Sequence, residues 1–491
     1  MADTRASIRL FLACVAMLGV ILVFRTPPMA GFDEAYHWRR ALQVADLHPF
    51  GRRLGPNDWG GRLDPREMAF ETRADAAIAA TQPLSVAGLH ALSDQLAASP
   101  APQGKSGRPV VSFPSTASFS PIAYLPSAAG ILVARVLRLG PLEQMHAGRL
   151  ANLAGYLGLV WCVVLILPVG RLAVLALLTM PTPLHLAASF SADPVCNALP
   201  ALLVACCLRL RRVTVPPPGS ILARRWPAWL FGLVVLVGLL KPICCVVSAM
   251  LLLVPVRLFA GAPARARRAA WTYRIAAIAV CAAVALGWNL AYPFVPGRYW
   301  HTGADPHAAV RVLLSAPMHG IRILAANAWN DSRFWWSDGW GRYGGGPGPY
   351  HFTTPERLAE LFLMLLLLLT LAEASRPLPG PGTSPRAIGQ ARIMAMTAPP
   401  VLLLLVAVAY LAALLLAFRI GYGPPGSDFI DGVQGRYLLL PDLLCLLALA
   451  AAWPFRAVIL GRLAPPLLLG CLLLDLLSVI IALGHYAAVW H

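Results

Sequence analysis

The chain has 491 residues, of which 58% are hydrophobic and 13% are charged, and its formal net charge is +18. A soluble protein carries about 25% charged residues, so this composition excludes a soluble enzyme. Long apolar runs recur along the whole sequence, and this pattern predicts an all-α, polytopic membrane protein.

The positive charge is distributed as a membrane topology requires. Lys and Arg number 40 against 22 acidic residues, and they cluster in short segments between apolar runs, as cytoplasmic loops do under the positive-inside rule. We therefore assign no role in nucleic-acid binding. All 10 cysteines lie in or beside apolar segments, which favours buried thiols over loop disulfides.

The first apolar segment, Ile8–Phe24, is predicted to be a retained span with its N-terminus in the cytoplasm, because no small-residue cleavage site follows it. A long outer loop comes next. Within it, the segment Phe119–Leu137 contains Pro121 and Pro126 and is predicted to lie in the outer interface as a juxtamembrane helix. If it crossed the membrane, the basic run Arg209–Arg225 would lie outside, against the charge rule.

The same charge rule fixes the direction of the later spans. We expect about 11 crossings in total. They are Ile8–Phe24, Met145–Pro168, Leu172–Ser189, Pro194–Leu208, the two arms of the hairpin Trp226–Val256, Ile275–Tyr292, Leu358–Leu371, Ala398–Phe418, Tyr437–Ala452 and Pro465–Leu483.

These spans divide the chain into three regions. Residues 1–292 form a transmembrane module that includes the first outer loop, 27–144. Residues 293–355 form a second outer loop, and residues 356–491 form the C-terminal helices with a shorter outer loop at 419–436. Long loops in a compact protein usually carry function, so we expect the chemistry on the outer face.

An acidic pair, Asp33-Glu34, follows the first span by a few residues, and Tyr36 and His37 come directly after it. One carboxylate could act as a general base toward an acceptor hydroxyl while the other orients it. The alternative is structural: Asp33 could simply cap an amphipathic helix that has Glu34 in its first turn.

Three further charged residues lie where spans meet the outer surface. Lys241 sits at the turn of a short hairpin, where its ammonium would reach a lipid phosphate or merely snorkel to the interface. Asp193 precedes Pro194, as in an ordinary turn or cap. Arg436 opens a span and could hold a phosphate bidentately or serve as an anchor.

The second outer loop contains Trp335, Trp336 and Asp338 just before a run of glycines. Aromatic faces with interleaved carboxylates suit sugar binding, and we expect these residues to contact the acceptor or the sugar. The alternative is that the tryptophans anchor the loop at the membrane interface, where Trp is enriched.

The order of these motifs resembles the lipid-dependent glycosyltransferases of the GT-C superfamily. More closely, four motifs resemble the bacterial membrane family known as domain of unknown function 2142: Asp33-Glu34-x-x-His37, Ser189–Asp193, Lys241-Pro242 and Gln434–Tyr437. The resemblance implies a GT-C-like fold and a polytopic protein of the bacterial inner membrane with a periplasmic or extracellular active site.

The resemblance also implies an inverting transfer from a polyprenyl-phosphate sugar to an envelope glycan, lipid or protein. Asp33 would be the base, with Glu34 as second choice, and Asp193, Tyr36 and His37 would lie beside it. Lys241, Arg149 and Arg436 would hold the donor phosphate. The outer loops have no clear Asp-x-Asp metal motif, so we expect no cofactor, and a metal ion stays an open alternative.

Two other functions fit the same features. The chain could transport or flip a lipid-linked glycan and use the cations only for binding. It could also be a non-catalytic component of a polysaccharide assembly complex. We find no internal sequence repeat of the kind that transporters show, and this favours the enzyme.

Overall fold

The computed structural model describes residues 2–79, 85–100, 107–212, 221–345, 351–375, 398–455 and 458–489. The basic segment with Arg376, Arg386 and Arg392, between the predicted spans Leu358–Leu371 and Ala398–Phe418, lies outside these residues. Glycines 346 and 348 of the glycine run after Asp338 also lie outside them. The chain is mostly helical, as the composition predicts.

The first third of the chain contains one long helix, a loop with its own small fold, and a second long helix. The helices are α1 (Ala2–Arg25), α2 (Glu34–Ala45), α3 (Pro65–Ala79), α4 (Val86–Ala98), α5 (Pro114–Ala117), α6 (Leu125–Val136) and α7 (Pro141–Ile166). A 3-10 turn at Pro121–Tyr124 leads directly into α6.

A three-stranded antiparallel sheet lies inside the first outer loop, with strands β1 (Arg52–Gly55), β2 (Asp58–Arg62) and β3 (Val110–Ser112) in that spatial order. Gly60 of β2 pairs with residues of both neighbours, and a Cβ there would lie 1.9 Å from the Val111 carbonyl oxygen. Only glycine fits at that position, so this residue allows β2 and β3 to approach closely.

The middle of the chain forms the centre of the helical bundle. Its elements are α8 (Arg171–Leu178), α9 (Pro181–Ala187), α10 (Asp193–Arg212), α11 (Ile221–Gly238), a 3-10 helix at Pro242–Leu253, a 3-10 turn at Val256–Leu258 and α12 (Pro263–Ala291). In α10, 78% of the apolar window is buried, against 39% or less in each of the other long apolar helices. Its N-terminal residue, Asp193, is therefore held by neighbours on all sides.

The remaining elements form the predicted second outer loop and the C-terminal helices. They are α13 (Pro296–Tyr299), α14 (Pro306–Ser315), α15 (Pro317–Asn330), α16 (Ser332–Gly341), β4 (Arg342–Tyr343), β5 (Phe352–Thr353), α17 (Glu356–Ala374), α18 (Ala398–Gly421), a 3-10 turn at Gly435–Tyr437, α19 (Leu439–Ala452), α20 (Val458–Arg462) and α21 (Ala464–Val489). Strands β4 and β5 pair in an antiparallel fashion.

Six helices of the described chain are long and apolar enough to cross a membrane, or seven if the bent pair α14 and α15 counts as one span. The expected number of about 11 is therefore not confirmed. Several predicted spans are shorter than expected: α19 has 14 residues, and the second arm of the Trp226–Val256 hairpin is a 12-residue 3-10 helix. The 12 residues of α6 are also short for a span, as its interfacial assignment predicts.

The predicted span Leu172–Ser189 has a different structure. It forms two short helices, α8 and α9, which break at Thr179 and Met180, and every residue in it is buried. Pro181 begins α9 because proline has no N–H to continue α8 but fits the first turn of a new helix. Hydropathy does not distinguish such a segment from a lipid-facing helix, because protein core and lipid are equally apolar.

Candidate functional site

Four charged side chains from distant parts of the sequence meet near the ends of the helices. Asp33 precedes α2, Asp193 begins α10, Lys241 lies between α11 and the following 3-10 helix, and Arg436 lies in the 3-10 turn before α19. The Nη2 of Arg436 is 3.1 Å from Oδ2 of Asp33, and its Nε is 3.4 Å from Oδ2 of Asp193. Lys241 Nζ donates to the other oxygen of Asp193. Asp193 thus holds both cations.

The four side chains differ in their exposure. The Asp33 side chain is 52% exposed and that of Lys241 is 22% exposed, whereas those of Arg436 and Asp193 are 5% and 6% exposed. Asp33 therefore faces an accessible space, and a buried carboxylate fixes the two cations beside it. A reacting group would meet Asp33 first.

The backbone of Asp33 is in the left-handed region, with φ 52° and ψ 27°. Asp33 occupies the N-cap position of α2, as the structural alternative predicts. Its side chain makes no cap hydrogen bond, however, so the carboxylate does not cap the helix. A non-glycine residue in this conformation is strained, and such strain is often found at functional sites. The turn directs the carboxylate toward Arg436 instead of toward its own helix.

Aromatic rings surround the cations. The guanidinium carbon of Arg436 lies 4.6 Å from the ring centre of Phe32 and 5.2 Å from that of Tyr437, and Lys241 Nζ lies 4.8 Å from the Tyr437 ring. These contacts stabilise the cations where little water reaches them. The sequence predicted no role for Phe32 or Tyr437, although Phe32 directly precedes Asp33 and Tyr437 directly follows Arg436.

His37 is buried next to the charged cluster and pairs through Nδ1 with the hydroxyl of Tyr124 at 2.8 Å. Burial lowers the pKa of His37 to about 4, so its imidazole is neutral near pH 7. Burial also raises the pKa of Tyr124 well above its ordinary value. Tyr36 packs edge-on against Trp300 with 6.2 Å between ring centres. His37 therefore supports the wall behind Asp33, and Tyr36 belongs to the contact between the two outer loops.

Glu34 and Arg149 form a completely buried ion pair. Nη2 of Arg149 lies 2.7 Å from Oε2 of Glu34, both side chains have 0% exposure, and Glu34 also accepts hydrogen bonds from the backbone N–H groups of Gly31 and Phe190. Arg149 Nε also donates to Glu34, and Nη1 and Nη2 donate to backbone carbonyls at and just after the end of α1. The sequence expected Glu34 to be a second base and Arg149 to bind donor phosphate. Neither role fits, because no substrate atom can reach either side chain in this arrangement.

Trp335, Trp336 and Asp338, which the sequence predicted to bind the acceptor or the sugar, make contacts within the protein. Asp338 accepts hydrogen bonds from Arg342 Nη1 and from the backbone N–H of Gly435, each at 2.6 Å, and is buried. Trp335 is also buried, and a Cβ at Gly435 would lie 1.9 Å from its carbonyl oxygen. Trp336 donates from Nε1 to the Ala359 carbonyl at 2.7 Å. Trp335 and Asp338 pack α16 against the turn that carries Arg436, and Trp336 packs it against α17, so the three residues make contacts within the protein instead of forming the expected sugar-binding surface.

The site is suited to an anion more than to a cation. Among the residues that the structure describes, no group of three or more His, Cys, Asp or Glu side chains is arranged to hold a metal ion. Lys241 and Arg436 are the residues that could hold a phosphate. Arg436 Nη1 is buried and has no hydrogen-bond partner in the described part of the chain, so it offers an unused donor for a bound oxygen.

Comparison with known proteins gives one match. The profile of the family described as predicted membrane protein (DUF2142) matches residues 16–445, which confirms the resemblance seen in the sequence motifs. Searches among curated proteins and among solved structures found no match. The matched range includes all four charged residues of the site.

Proposed function

The chain belongs to the predicted membrane protein family DUF2142, and we propose that it is an integral-membrane glycosyltransferase. It transfers a sugar from a polyprenyl-phosphate donor to a cell-envelope glycan, lipid or protein, at the outer face of a bacterial inner membrane. The observation that carries this proposal is the half-exposed carboxylate of Asp33 next to two cations held together by the buried Asp193.

The charges of the resting site suit the binding of a phosphate. Two cations, Lys241 and Arg436, are balanced by Asp33 and Asp193. A phosphate that takes the unused Nη1 donor of Arg436 also competes with Asp33 for that guanidinium. Arg436 stays anchored through Asp193, since its Nε lies 3.4 Å from that carboxylate. The donor can thus release Asp33 from its ion pair without freeing the cation.

The transfer then proceeds with balanced charges. The hydroxyl oxygen of the acceptor forms a bond with the anomeric carbon of the donor sugar, and the bond from that carbon to the phosphate oxygen breaks. Asp33 takes the hydroxyl proton, and the polyprenyl phosphate leaves with the electron pair, stabilised by Lys241 and Arg436. A single displacement of this kind inverts the anomeric centre.

The proposal is tested with the full-length protein in proteoliposomes. The donors are undecaprenyl-phosphate-linked hexoses and pentoses that are labelled in the sugar. Membrane vesicles of a strain that lacks the gene supply the acceptor. The expected result is release of undecaprenyl phosphate together with transfer of label to envelope material, and loss of both in Asp33→Asn. Movement of intact donor between the leaflets without cleavage of the glycosidic bond would instead make the protein a flippase.

A further inference from the structure

A polar cavity lies in the first outer loop at the opposite end of α2 from Asp33. Its volume is about 370 Å³, within the range of small-molecule sites. Asp46, the residue after α2, is part of its lining. Since α2 has 12 residues and a helix rises 1.5 Å per residue, the cavity lies about 18 Å along the helix from Asp33. It is therefore separate from the candidate active site.

Buried acids form the floor of this cavity, and less buried arginines bind to them. Arg135 contacts both Asp46, at 3.0 Å, and Glu67, at 2.7 Å, and Arg108 contacts Asp46 at 2.7 Å. Arg66 binds Asp64 at 2.8 Å. These pairs fix the guanidinium groups before any ligand arrives, which lowers the entropic cost of binding.

Two groups in the lining have unused binding capacity. Glu67 is 3% exposed, yet its Oε2 has no hydrogen-bond partner among the described residues. Burial raises the pKa of Glu67 to about 7, as expected for a carboxyl group that has lost water without a full set of donors. Arg138 is exposed at the cavity and forms no ion pair with the described residues.

The charge of the lining indicates the ligand. Four arginines and three acids contribute to it. A ligand hydroxyl that donates to Glu67 favours its ionised form, and in that form the cavity carries one net positive charge, which matches a single carboxylate better than a phosphate with its charge near −2. Glu67 Oε2 accepts from a hydroxyl, and Leu96, Leu139 and Pro141 provide an apolar wall for the C–H face of a ring. A ring with hydroxyl groups and one carboxylate is a uronate sugar.

We propose that this cavity binds a uronate residue of the acceptor, with the carboxylate on Arg138 and a ring hydroxyl on Glu67. The identification of this sugar as part of the acceptor rests on the proposed transferase function, whereas the binding itself does not. A chain that is held here and reaches Asp33 about 18 Å away must be longer than one sugar unit.

The test measures binding to the full-length protein in lipid nanodiscs by calorimetry, with trigalacturonate and the neutral trisaccharide maltotriose as probes. The wild-type protein should bind trigalacturonate at least about tenfold more tightly than maltotriose. Arg138→Gln, which keeps a long polar side chain without the charge, should lose about tenfold to a hundredfold in trigalacturonate affinity. The matched control is Arg73→Gln, because Arg73 is exposed on α3 away from this cavity.

Equal affinity for the two probes, or unchanged trigalacturonate affinity in Arg138→Gln, would overturn the inference. Glu67→Gln should weaken binding of both probes, and its thermal unfolding shows whether it folds; if it does not fold, Arg138→Gln decides. Galacturonate monomer distinguishes two sources of the ligand, a free sugar acid and an acceptor chain. A monomer affinity equal to that of the trimer indicates a free sugar acid and overturns the assignment to an acceptor chain.

The same test distinguishes a failure of the uronate inference from a failure of the proposed transferase function. Asp33→Asn should bind trigalacturonate like the wild type. If selective binding is present and no donor is cleaved, the proposed function fails and the cavity remains a uronate site. If donor is cleaved and trigalacturonate is not selected, the function remains and the inference about the acceptor fails.

Discussion

Nη2 of Arg436 lies 3.1 Å from the Asp33 carboxylate, although 403 positions separate the two residues in the sequence. Each partner is positioned independently of the other. A left-handed turn at the start of α2 directs Asp33, whereas Asp193 and the contact between Asp338 and Gly435 hold Arg436. The pair can therefore open without disturbing either support, as the proposed release of Asp33 by the donor requires.

Asp33→Asn should reduce transfer by about 100-fold to 10,000-fold, because the amide is nearly isosteric and cannot take the acceptor's proton. The rate of undecaprenyl phosphate release measures this effect. Asp33 is half exposed and makes no cap hydrogen bond, so the melting temperature should stay close to that of the wild type. A variant that folds and keeps most of its transfer rate would remove Asp33 from the mechanism.

Glu34→Gln should lower stability by about 3 to 5 kcal/mol, because it leaves the charge of Arg149 buried without its partner. Thermal unfolding in detergent measures the loss. The control is Glu360→Gln, whose pair with Arg333 is exposed and should contribute about 1 kcal/mol or less. If Glu34→Gln unfolds like the wild type and loses activity, Glu34 acts in catalysis after all.

Lys241→Met should weaken the binding of undecaprenyl phosphate about tenfold to a hundredfold, since one charge-assisted contact to phosphate is lost. Asp193 remains next to Arg436 in this variant, so no buried carboxylate is left without a cation. The measurement is a binding titration in nanodiscs. Arg333→Met removes an exposed cation from the second outer loop and should bind normally; equal affinity in Lys241→Met would make Lys241 a membrane anchor.

Asp338→Asn should reduce the affinity for undecaprenyl phosphate about tenfold, although Asp338 is buried and does not face the site. The amide can accept from only one of its two present donors, Arg342 and the Gly435 N–H, so the turn with Arg436 loses a fixed contact. If Asp338 acts through Arg436, adding Asp338→Asn to Arg436→Met should cause no further loss.

Additive losses in that double variant would show that Asp338 contributes in another way. Asp431→Asn serves as the control, because Asp431 is an exposed acid in the loop 419–436 that contains Arg436. Its affinity should equal that of the wild type.

Single cysteines on both sides of α6 should react with an impermeant thiol reagent in intact cells. Arg73→Cys and Arg138→Cys, each in a background without the 10 native cysteines, place the thiols at exposed positions. Arg267→Cys, exposed at the start of α12 in a basic segment predicted to be cytoplasmic, should react only after permeabilisation. Protection of Arg138→Cys alone would mean that α6 crosses the membrane.

The sequence singled out four charged residues that the structure brings together, but it did not predict their contacts. Asp33, Asp193, Lys241 and Arg436 were singled out because each lies at the outer end of an apolar segment, and the structure brings them together. The neighbours Asp33 and Glu34 could not be told apart in the sequence, because a left-handed turn directs one toward the site and the other into the core.

Other residues differ from their predicted roles because their partners in the structure are far away in the sequence. Arg149 binds Glu34 across 115 positions, and no local pattern reveals such a pairing. The residues around Trp335 pack against the Gly435 turn about 100 positions later, so a surface pattern was mistaken for a binding face. The GT-C resemblance and the number of crossings stay predictions of the sequence.

The distance in sequence between Asp33 and Arg436 has a consequence for biogenesis. At about 5 to 20 residues per second, the ribosome makes Arg436 roughly 20 to 80 seconds after Asp33. The Glu34–Arg149 and Asp193–Lys241 pairs join segments that are both made earlier, so the outer loop and the central helices can assemble first. A chain whose synthesis stalls before Arg436 therefore holds Asp33 without its guanidinium partner, and under the proposed function it would bind donor only after the C-terminal helices have been inserted.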